Sequence, residues 1–298
     1  MTSYAFVIAD VFTRRPLAGN PLAVFPDAAG VDEQTMQDIA REFGHSETTF
    51  VLPPRRSEAT WRIRSFTPTA EVFGAGHNAL GAWWVLASTG RVALSDAGPL
   101  SVVHQELGDS VLPVEIAHRG GLVDSVSMTQ SPPVFGETVE DLDELGHALG
   151  IPRGELEVAG LRPQAVSTGA MHLLVPVTSL EALAGVRIDA ERLLRLVLPH
   201  GCQGAYVFTL QTREAGSLAQ ARAFFPGIGI VEDPGTGSAA VPLGALLNAH
   251  GLLRSGVTAV IEQGDEIGRP SRIEVSVAGD RVRVGGSSVI VAEGAMIL

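Results

Sequence analysis

Two short motifs with the same pattern contain residues suited to acid–base chemistry. Residues 71–79 read EVFGAGHNA and residues 232–240 read EDPGTGSAA, so both follow the pattern E-x-x-G-x-G-x-x-A, 161 positions apart. Each motif places a glycine turn before a run of small apolar residues. A turn of this kind leaves the first N–H groups of the following helix unpaired, and such groups bind anions. The pair of motifs therefore predicts a site for a small carboxylate.

Three side chains in these motifs could take part in proton transfer. His77 occupies the first turn of the predicted helix, where a neutral imidazole can donate, accept or transfer a proton. Its counterpart in the second motif is Ser238, and Asp233 lies close by in the sequence. Because Ser and Asp are also ordinary turn and cap residues, their matched placement in a repeat is what favours a functional role.

Glu47 is a further candidate for acid–base chemistry. It follows a predicted helix end and begins an apolar strand, where a half-buried carboxyl would have a raised pKa suited to proton transfer. From position alone, a solvated residue at a strand end is the more common case, because acidic side chains are mostly exposed. His172 is a weaker candidate at the start of another apolar strand. Cys202 is expected to be a small buried apolar side chain.

The composition excludes several enzyme classes and partners. All 21 basic residues are arginine, so no lysine can form a Schiff base, hold pyridoxal phosphate or serve a P-loop. Cys202 is the only cysteine, which excludes an intrachain disulfide, a Cys-rich zinc site and a pair of catalytic thiols. A net charge of −12 without a basic run argues against nucleic acid and membranes. Without a signal sequence or a spanning apolar run, we expect a cytoplasmic protein.

Strands and a few helices surround the motifs. The first half is predicted to form strands over residues 4–12, 21–26, 47–53, 59–66, 100–106, 111–117 and 123–129, and helices over 32–43 and 77–89. The second half is predicted to form helices over 138–149, 189–198 and 237–250, and strands over 163–168, 171–177, 204–211, 219–225, 257–263, 271–277, 280–285 and 287–292. The helices after the two glycine turns are apolar nearly all round, which predicts that they lie inside a sheet layer. This pattern indicates an α+β fold.

The repeat extends beyond the glycine turns. Residues 49–52 and 65–68 align with residues 207–210 and 223–226 at an offset of 158. Two repeated units predict two pseudo-symmetric domains with a site at their junction. The predicted domains are residues 1–130 and 131–286, and the Ser-Pro-Pro sequence at 131–133 is the predicted linker.

Together these segments resemble the PhzF family of phenazine biosynthesis-like isomerases, which has the diaminopimelate epimerase-like fold. The matching segments are residues 19–25, 46–51, 66–77, 232–239, 263–264 and 268–271. The resemblance implies two domains, each a rolled, mostly antiparallel sheet around a central helix, with the active site between them. It also implies that no cofactor is used, that the protein is commonly a homodimer, and that the last strand, within 287–298, completes the first domain.

The resemblance also implies roles for individual residues. Glu47 would be the base and acid that carries the proton, and His77, Asp233 and Ser238 would support it. The substrate-binding residues would be Asn20, Gly76, Asn78, Gly235, Thr236 and Gly237. Relatives that racemise amino acids use a cysteine at each glycine turn. The presence of His77 and Ser238 there favours isomerisation driven by a carboxylate.

The predicted function is a cofactor-independent isomerase that moves a proton between carbons of a small cyclic or unsaturated carboxylate in a biosynthetic process. Two alternatives stay open. One is an epimerase or racemase acting at the α-carbon of an amino or imino acid, and the other is a non-catalytic protein that binds a small acid. Asn78 and Gly235 depart from the usual family pattern beside the pocket, so the resemblance does not identify the substrate.

Overall fold

The computed structural model describes residues 2–74, 76–158 and 160–298. The chain forms two compact units, the first from Met1–Thr129 with Gly285–Leu298 and the second from Gln130–Val284. The first unit therefore includes the C-terminal segment as well as the N-terminal part of the chain.

The helices and strands of the first unit surround one central helix. Its elements are β1 (Ser3–Val11), β2 (Asn20–Phe25), α1 (Glu33–Phe43), β3 (Thr48–Leu52), β4 (Trp61–Phe66), β5 (Glu71–Val72), α2 (His77–Ser88), β6 (Leu100–Leu107), β7 (Ser110–Arg119) and β8 (Leu122–Gln130).

The second unit contains further strands and helices, and the chain then returns to the first. Its elements are β9 (Val134–Thr138), α3 (Leu142–Leu149), β10 (Gln164–Ser167), β11 (Met171–Pro176), α4 (Leu180–Gly185), α5 (Ala190–Val197), β12 (Ala205–Thr209), β13 (Ala219–Phe225), β14 (Ile230–Asp233), α6 (Gly237–Ala249), β15 (Thr258–Gln263), β16 (Ser271–Ala278) and β17 (Arg281–Gly286). The last strand, β18 (Ser288–Ile297), belongs to the first unit.

Strand pairing in the two units follows the same order. In the first unit β1 and β2 are antiparallel, β2 and β3 parallel, β3 and β4 antiparallel, and β4 and β6 parallel. In the second unit the corresponding pairs are β10 with β11, β11 with β12, β12 with β13, and β13 with β15, with the same directions. The short strands β5 and β14 are each antiparallel to the fourth strand of the repeat. The duplication inferred from the motifs is thus present in the topology.

The helix after each glycine turn lies at the centre of its unit, as its composition predicts. In α2 every residue from His77 to Ala87 is buried, and the helix contacts β1, β2, β3, β7 and β18. Helix α6 is similarly buried and contacts β10, β11 and β16. The packing at Gly81 is close, because a Cβ there would lie 2.6 Å from Leu22 Cδ2 and that side chain would have to shift. The prediction of two buried central helices is confirmed.

Each unit also has an outer apolar core on the other side of its strands. In the first unit, side chains of α1 pack against Phe25, Phe50 and Phe66. In the second unit, α3 and α5 pack against alternate residues of β11, β12 and β13, including Leu173 and Val207. Each set of strands is therefore covered on both sides by helices.

Several predicted boundaries are wrong, and the causes are local. The helix predicted over 138–149 begins only at Leu142, because the Asp141 side chain accepts a hydrogen bond from the Glu144 N–H at 2.9 Å and caps it. The preceding segment forms β9, which pairs with β10. Sequence reasoning also missed the short elements β5, β14 and α4, and ended the last strand at 292, whereas β18 continues to Ile297.

The loop before β2 has a glycine that cannot be replaced without strain. Gly19 has a φ of 66°, and a Cβ at that position would lie 2.3 Å from the Val11 carbonyl oxygen. This close approach brings the chain from the end of β1 into register with Asn20 opposite Val11.

Among the described residues, no helix combines the length and the apolar character needed to cross a membrane.

Candidate active site

Glu47 and His77 come together in the first unit. Glu47 lies immediately before β3, and His77 is the first residue of α2. Oε2 of Glu47 lies 3.1 Å from Nδ1 of His77, and the Glu47 side chain is 21% exposed. The contact joins two residues 30 positions apart, each of which the sequence marks only as a separate candidate.

The pKa of Glu47 is raised from its ordinary value of 4.5 to about 7 because burial removes water from the carboxylate. The buried Oε2 atom has no aligned hydrogen bond within the described part of the chain, despite its short distance from His77. No hydrogen bond therefore offsets the cost of ionisation at that oxygen. A carboxyl with this pKa can gain or lose a proton near neutral pH. Glu47 is therefore a half-buried carboxyl and not a solvated residue at a strand end.

Asn20 lies close to the Glu47 segment. Its side chain is fully buried, and its Oδ1 accepts a hydrogen bond from Ser46 Oγ at 3.3 Å. This bond connects the first residue of β2 to the residue that precedes Glu47. We therefore assign Asn20 a part in positioning the Glu47 segment, in addition to its predicted role in substrate binding.

The first glycine turn is held by Asn78. Its Oδ1 accepts from the Gly76 N–H at 2.7 Å, and its Nδ2 donates to the Gly74 carbonyl at 2.9 Å. The Gly76 N–H, which we expected to bind the substrate carboxylate, is thus already paired. The Asn78 side chain likewise bonds to its own turn, although we expected it to bind substrate. Both groups shape the backbone that presents His77.

The second glycine turn is held by Gln263, a residue from β15. Its Oε1 accepts from the Thr236 N–H at 3.0 Å and from the Tyr206 hydroxyl at 2.9 Å. Its Nε2 donates to the Asp233 carbonyl at 2.7 Å and to Thr236 Oγ1 at 3.0 Å. All four bonds are buried, so Gln263 fixes the turn from Asp233 to Thr236. In the sequence Gln263 belongs to a segment that resembles the PhzF family, and no local pattern indicates its role.

Asp233 is buried at the end of β14, and Thr236 Oγ1 donates a hydrogen bond to its Oδ2. Burial raises the pKa of Tyr206 well above its ordinary value, and the negative charge of Asp233 raises it further. Tyr206 therefore stays protonated and keeps donating to Gln263. Together these residues form a buried, hydrogen-bonded polar cluster at the start of α6.

The other predicted residues lie at the start of α6 or just before it. Gly235 and Gly237 are buried, and Ser238 is half-buried. Helix geometry gives the N–H groups of Gly237 and Ser238 no acceptor inside the helix. They are the donors in the second turn that remain suited to an anion, whereas the Thr236 N–H is bonded to Gln263.

The glutamate at the first position of each motif forms an ion pair with an arginine of the neighbouring strand. Glu71 pairs with Arg64, with 2.6 Å between Oε1 and Nε, and Glu232 pairs with Arg222, with 2.8 Å between the corresponding atoms. In each pair a second guanidinium nitrogen bonds the other carboxylate oxygen, so both pairs are bidentate. These ion pairs tie β5 to β4 and β14 to β13, just ahead of the glycine turns.

The predicted site residues thus form two clusters. The first unit holds Asn20, Glu47, His77, Gly76 and Asn78, and the second holds Asp233, Gly235, Thr236, Gly237 and Ser238. Cys202 lies apart from them in the outer core of the second unit, where burial raises the pKa of its thiol to about 12. No group of three or more His, Cys, Asp or Glu side chains suited to a metal ion occurs among residues 2–74, 76–158 and 160–298.

Several known proteins are similar to this chain in sequence over all or nearly all of its length. The family model described as "Phenazine biosynthesis-like protein" (PhzC-PhzF) matches residues 9–294. An uncharacterized isomerase of Mesorhizobium japonicum is 35% identical, and the match covers 100% of both chains. The trans-2,3-dihydro-3-hydroxyanthranilate isomerase of Pseudomonas fluorescens is 34% identical over 98% of this chain and 99% of its own.

A solved structure confirms the predicted fold. The PhzF-family phenazine biosynthesis protein of Bacillus anthracis superposes with a TM-score of 0.91 at 27% identity, over 100% of each chain. The mixed α+β architecture with a buried helix per unit is therefore that of the family inferred from the motifs. This chain belongs to the PhzF family of phenazine biosynthesis-like proteins and is an isomerase.

Proposed function

We propose that this isomerase uses no cofactor and moves a proton between two carbons of a small cyclic or unsaturated carboxylate. The observation that carries the proposal is Glu47, whose buried carboxyl has a pKa raised to about 7. Near neutral pH such a group is present in both protonation states. It can therefore remove a proton from carbon and return it, as general acid–base catalysis requires.

The reaction balances with Glu47 as the only proton carrier. The Glu47 carboxylate removes a proton from an sp³ carbon beside a double bond, and the electron pair left behind moves through the conjugated system towards the substrate carboxylate. The carboxylic acid thus formed returns a proton to a second carbon, and the double bond shifts. Neither an oxidant nor a co-reactant is needed.

We assign His77 the task of orienting the Glu47 carboxyl. Its Nδ1 atom lies 3.1 Å from Oε2, so an Nδ1–H tautomer can donate to the ionised carboxylate after a small realignment. Removing the imidazole would leave Glu47 freer to rotate and raise the cost of ionising it. His77 is therefore a positioning residue in this proposal, and Glu47 is the catalytic residue.

We assign the second cluster to the substrate carboxylate. The N–H groups of Gly237 and Ser238 lie at the positive end of the α6 helix, where donors stabilise a carboxylate and the charge that develops on it. The bonds from Gln263 to Asp233 and Thr236 hold that turn in place before substrate binds. Asp233 thus acts by fixing the turn.

The proposed reaction and the name of one relative support the proposed substrate class. The Pseudomonas fluorescens protein is named for trans-2,3-dihydro-3-hydroxyanthranilate, which is a cyclic unsaturated carboxylate. We propose a compound of this class for the present chain.

The proposal also includes a homodimer, and a monomer mass in solution scattering would refute it. It further includes activity without a cofactor, and loss of activity on dialysis against a chelator would refute that.

The test is proton NMR in deuterated water with trans-2,3-dihydro-3-hydroxyanthranilate and a panel of cyclic unsaturated carboxylates. Wild type should shift a double bond and exchange a carbon-bound hydrogen. E47Q should lower the rate at least about a hundredfold, because a positioned acid–base group contributes roughly that factor or more. The matched control is E42Q, which changes an exposed glutamate on α1 and should leave the rate unchanged.

The same spectra separate the alternatives. Deuterium entering at an α-carbon with inversion, and without a double-bond shift, would assign the protein as an epimerase. Ligands that bind without any exchange at carbon would assign a binding protein. An E47Q rate equal to that of wild type would remove Glu47 from the mechanism.

A further inference from the structure

His172 is a buried histidine that the proton transfer described above does not use. It is the second residue of β11 and is 8% exposed. Its Nε2 atom is buried and has no hydrogen-bond partner among residues 2–74, 76–158 and 160–298. Buried polar atoms almost always have a partner, and leaving one without a partner destabilises a protein. The atom therefore points to a ligand that completes it.

Strand alternation shows which side of the sheet His172 faces. Leu173 and Val175 belong to the outer core with Leu149 of α3 and Leu193 of α5. Successive side chains of a strand point to opposite sides of a sheet. His172 therefore faces the side covered by α6, which contacts β11.

The second glycine turn lies on the same side of the sheet. Ala205 and Val207 belong to the outer core, so Tyr206 between them faces the α6 side, as His172 does. Tyr206 donates to Gln263 at 2.9 Å, and Gln263 holds the turn at the start of α6. His172 is thus on the sheet face that carries the proposed carboxylate donors.

The surroundings of His172 define the kind of group it can bind. Its ring lies 5.2 Å from the ring of Phe225, measured between centroids. Burial lowers the pKa of His172 to about 4, so the imidazole is neutral at neutral pH. A neutral imidazole offers one donor and one acceptor but no charge. It suits an uncharged polar substituent beside an apolar ring, and it does not suit a carboxylate.

We propose that His172 contacts the substrate directly, with Nε2 forming a hydrogen bond to a hydroxyl or amino substituent on the ring of the carboxylate. This contact makes His172 a specificity-determining residue. The inference rests on the proposed function for the class of ligand. It is tested by equilibrium binding, which does not require turnover.

The test compares the dissociation constants of 3-hydroxyanthranilate and benzoate by calorimetry. Both are ring carboxylates, and only the first has hydroxyl and amino groups. Wild type should prefer 3-hydroxyanthranilate, and H172L should lower that preference about threefold to tenfold, the factor expected for one hydrogen bond. H172Q should restore most of it, because a glutamine amide reaches the position of Nε2.

The control is H118L in the first unit. His118 is also buried, but its Nε2 lies 2.9 Å from Ser101 Oγ and so has a partner. This variant should leave the preference for 3-hydroxyanthranilate unchanged. In wild type, adding 3-hydroxyanthranilate should also move the imidazole ¹⁵N resonance of His172, which requires no variant to fold.

An unchanged preference in H172L, or an unmoved His172 resonance, would overturn the inference. Its failure can be told from that of the proposed function. If E47Q keeps full turnover while H172L loses the preference, the role of Glu47 is wrong and His172 stands. If E47Q abolishes turnover while H172L keeps the preference, only the inference about His172 is wrong.

Discussion

Replacing Glu47 by glutamine should make the stability of the first unit less dependent on pH. The pKa of Glu47 is raised to about 7 in the folded protein, against an ordinary value of 4.5. At roughly 1.4 kcal/mol per pKa unit, ionising this buried carboxyl costs the folded state about 3 kcal/mol. Glutamine has nearly the same shape and does not ionise, so E47Q avoids this cost.

The direction of this pH dependence follows from proton binding by Glu47 in the folded and unfolded states. Between pH 4.5 and about 7 the unfolded chain releases the Glu47 proton while the folded chain retains it, so wild-type stability falls as pH rises. Above about pH 8 the cost is complete. The free energy of unfolding of E47Q should therefore gain about 2 to 3 kcal/mol on that of wild type between about pH 5 and pH 9.

The assay is urea unfolding followed by tryptophan fluorescence at a series of pH values. All three tryptophans, Trp61, Trp83 and Trp84, lie in the unit that contains Glu47. The signal therefore reports the unfolding of that unit. E42Q serves as the control and should follow wild type at every pH. A difference between E47Q and wild type that stays constant within about 0.5 kcal/mol, or that shrinks as pH rises, would refute the reasoning.

Three further predictions concern the supports of the site. Q263L removes the acceptor of the buried Thr236 N–H. It should therefore lower the free energy of unfolding of the second unit by about 2 to 3 kcal/mol, as measured by calorimetry. A loss under about 0.5 kcal/mol would contradict this prediction. G19A should lower the free energy of unfolding of the first unit, measured by urea unfolding, by at least about 2 kcal/mol, because a Cβ would lie 2.3 Å from Val11 O. An unchanged midpoint of urea unfolding would show that the loop adjusts to the extra Cβ without cost. C202A should keep kcat/KM within about twofold, because burial raises the pKa of that thiol to about 12, and a large loss of activity would implicate the thiol.

The elements that depend on local sequence could be predicted. The glycine turns and the apolar runs after them specify α2 and α6, because a helix that is apolar all round must be buried. Asp32 and Gly44 mark the two ends of α1. The Asp32 side chain accepts a hydrogen bond from the Thr35 N–H, and Gly44 adopts the left-handed backbone conformation. In each case the determining residues lie within a few positions of the feature.

Features that depend on long-range contacts could not be predicted. The two-residue strand β5 exists because it pairs with β4 and because Glu71 binds Arg64, which a local pattern does not show. Gln263 reaches the second glycine turn across 27 positions, and only the folded sheet brings it there. That Nε2 of His172 has no hydrogen-bond partner within the described part of the chain likewise depends on the fold and not on the local sequence.

The candidate site shows the same division. The sequence marked Glu47 and His77 by their positions after a helix end and a glycine turn. Their 3.1 Å contact and the burial that raises the pKa of Glu47 come from the fold. The hydrogen bond from the Gly76 N–H to Asn78 Oδ1 also depends on the folded turn, and the sequence alone does not show it.

Transfer of an isotopic label would show whether Glu47 carries the proton from one carbon to another. Trans-2,3-dihydro-3-hydroxyanthranilate labelled with deuterium at its ring sp³ carbons would be incubated with wild type and E47Q in ordinary water. Wild type should form an isomer in which part of the deuterium has moved to a different carbon, because a single carboxyl removes and returns it. E47Q should form almost none. Isomerisation by E47Q at the wild-type rate would contradict the account.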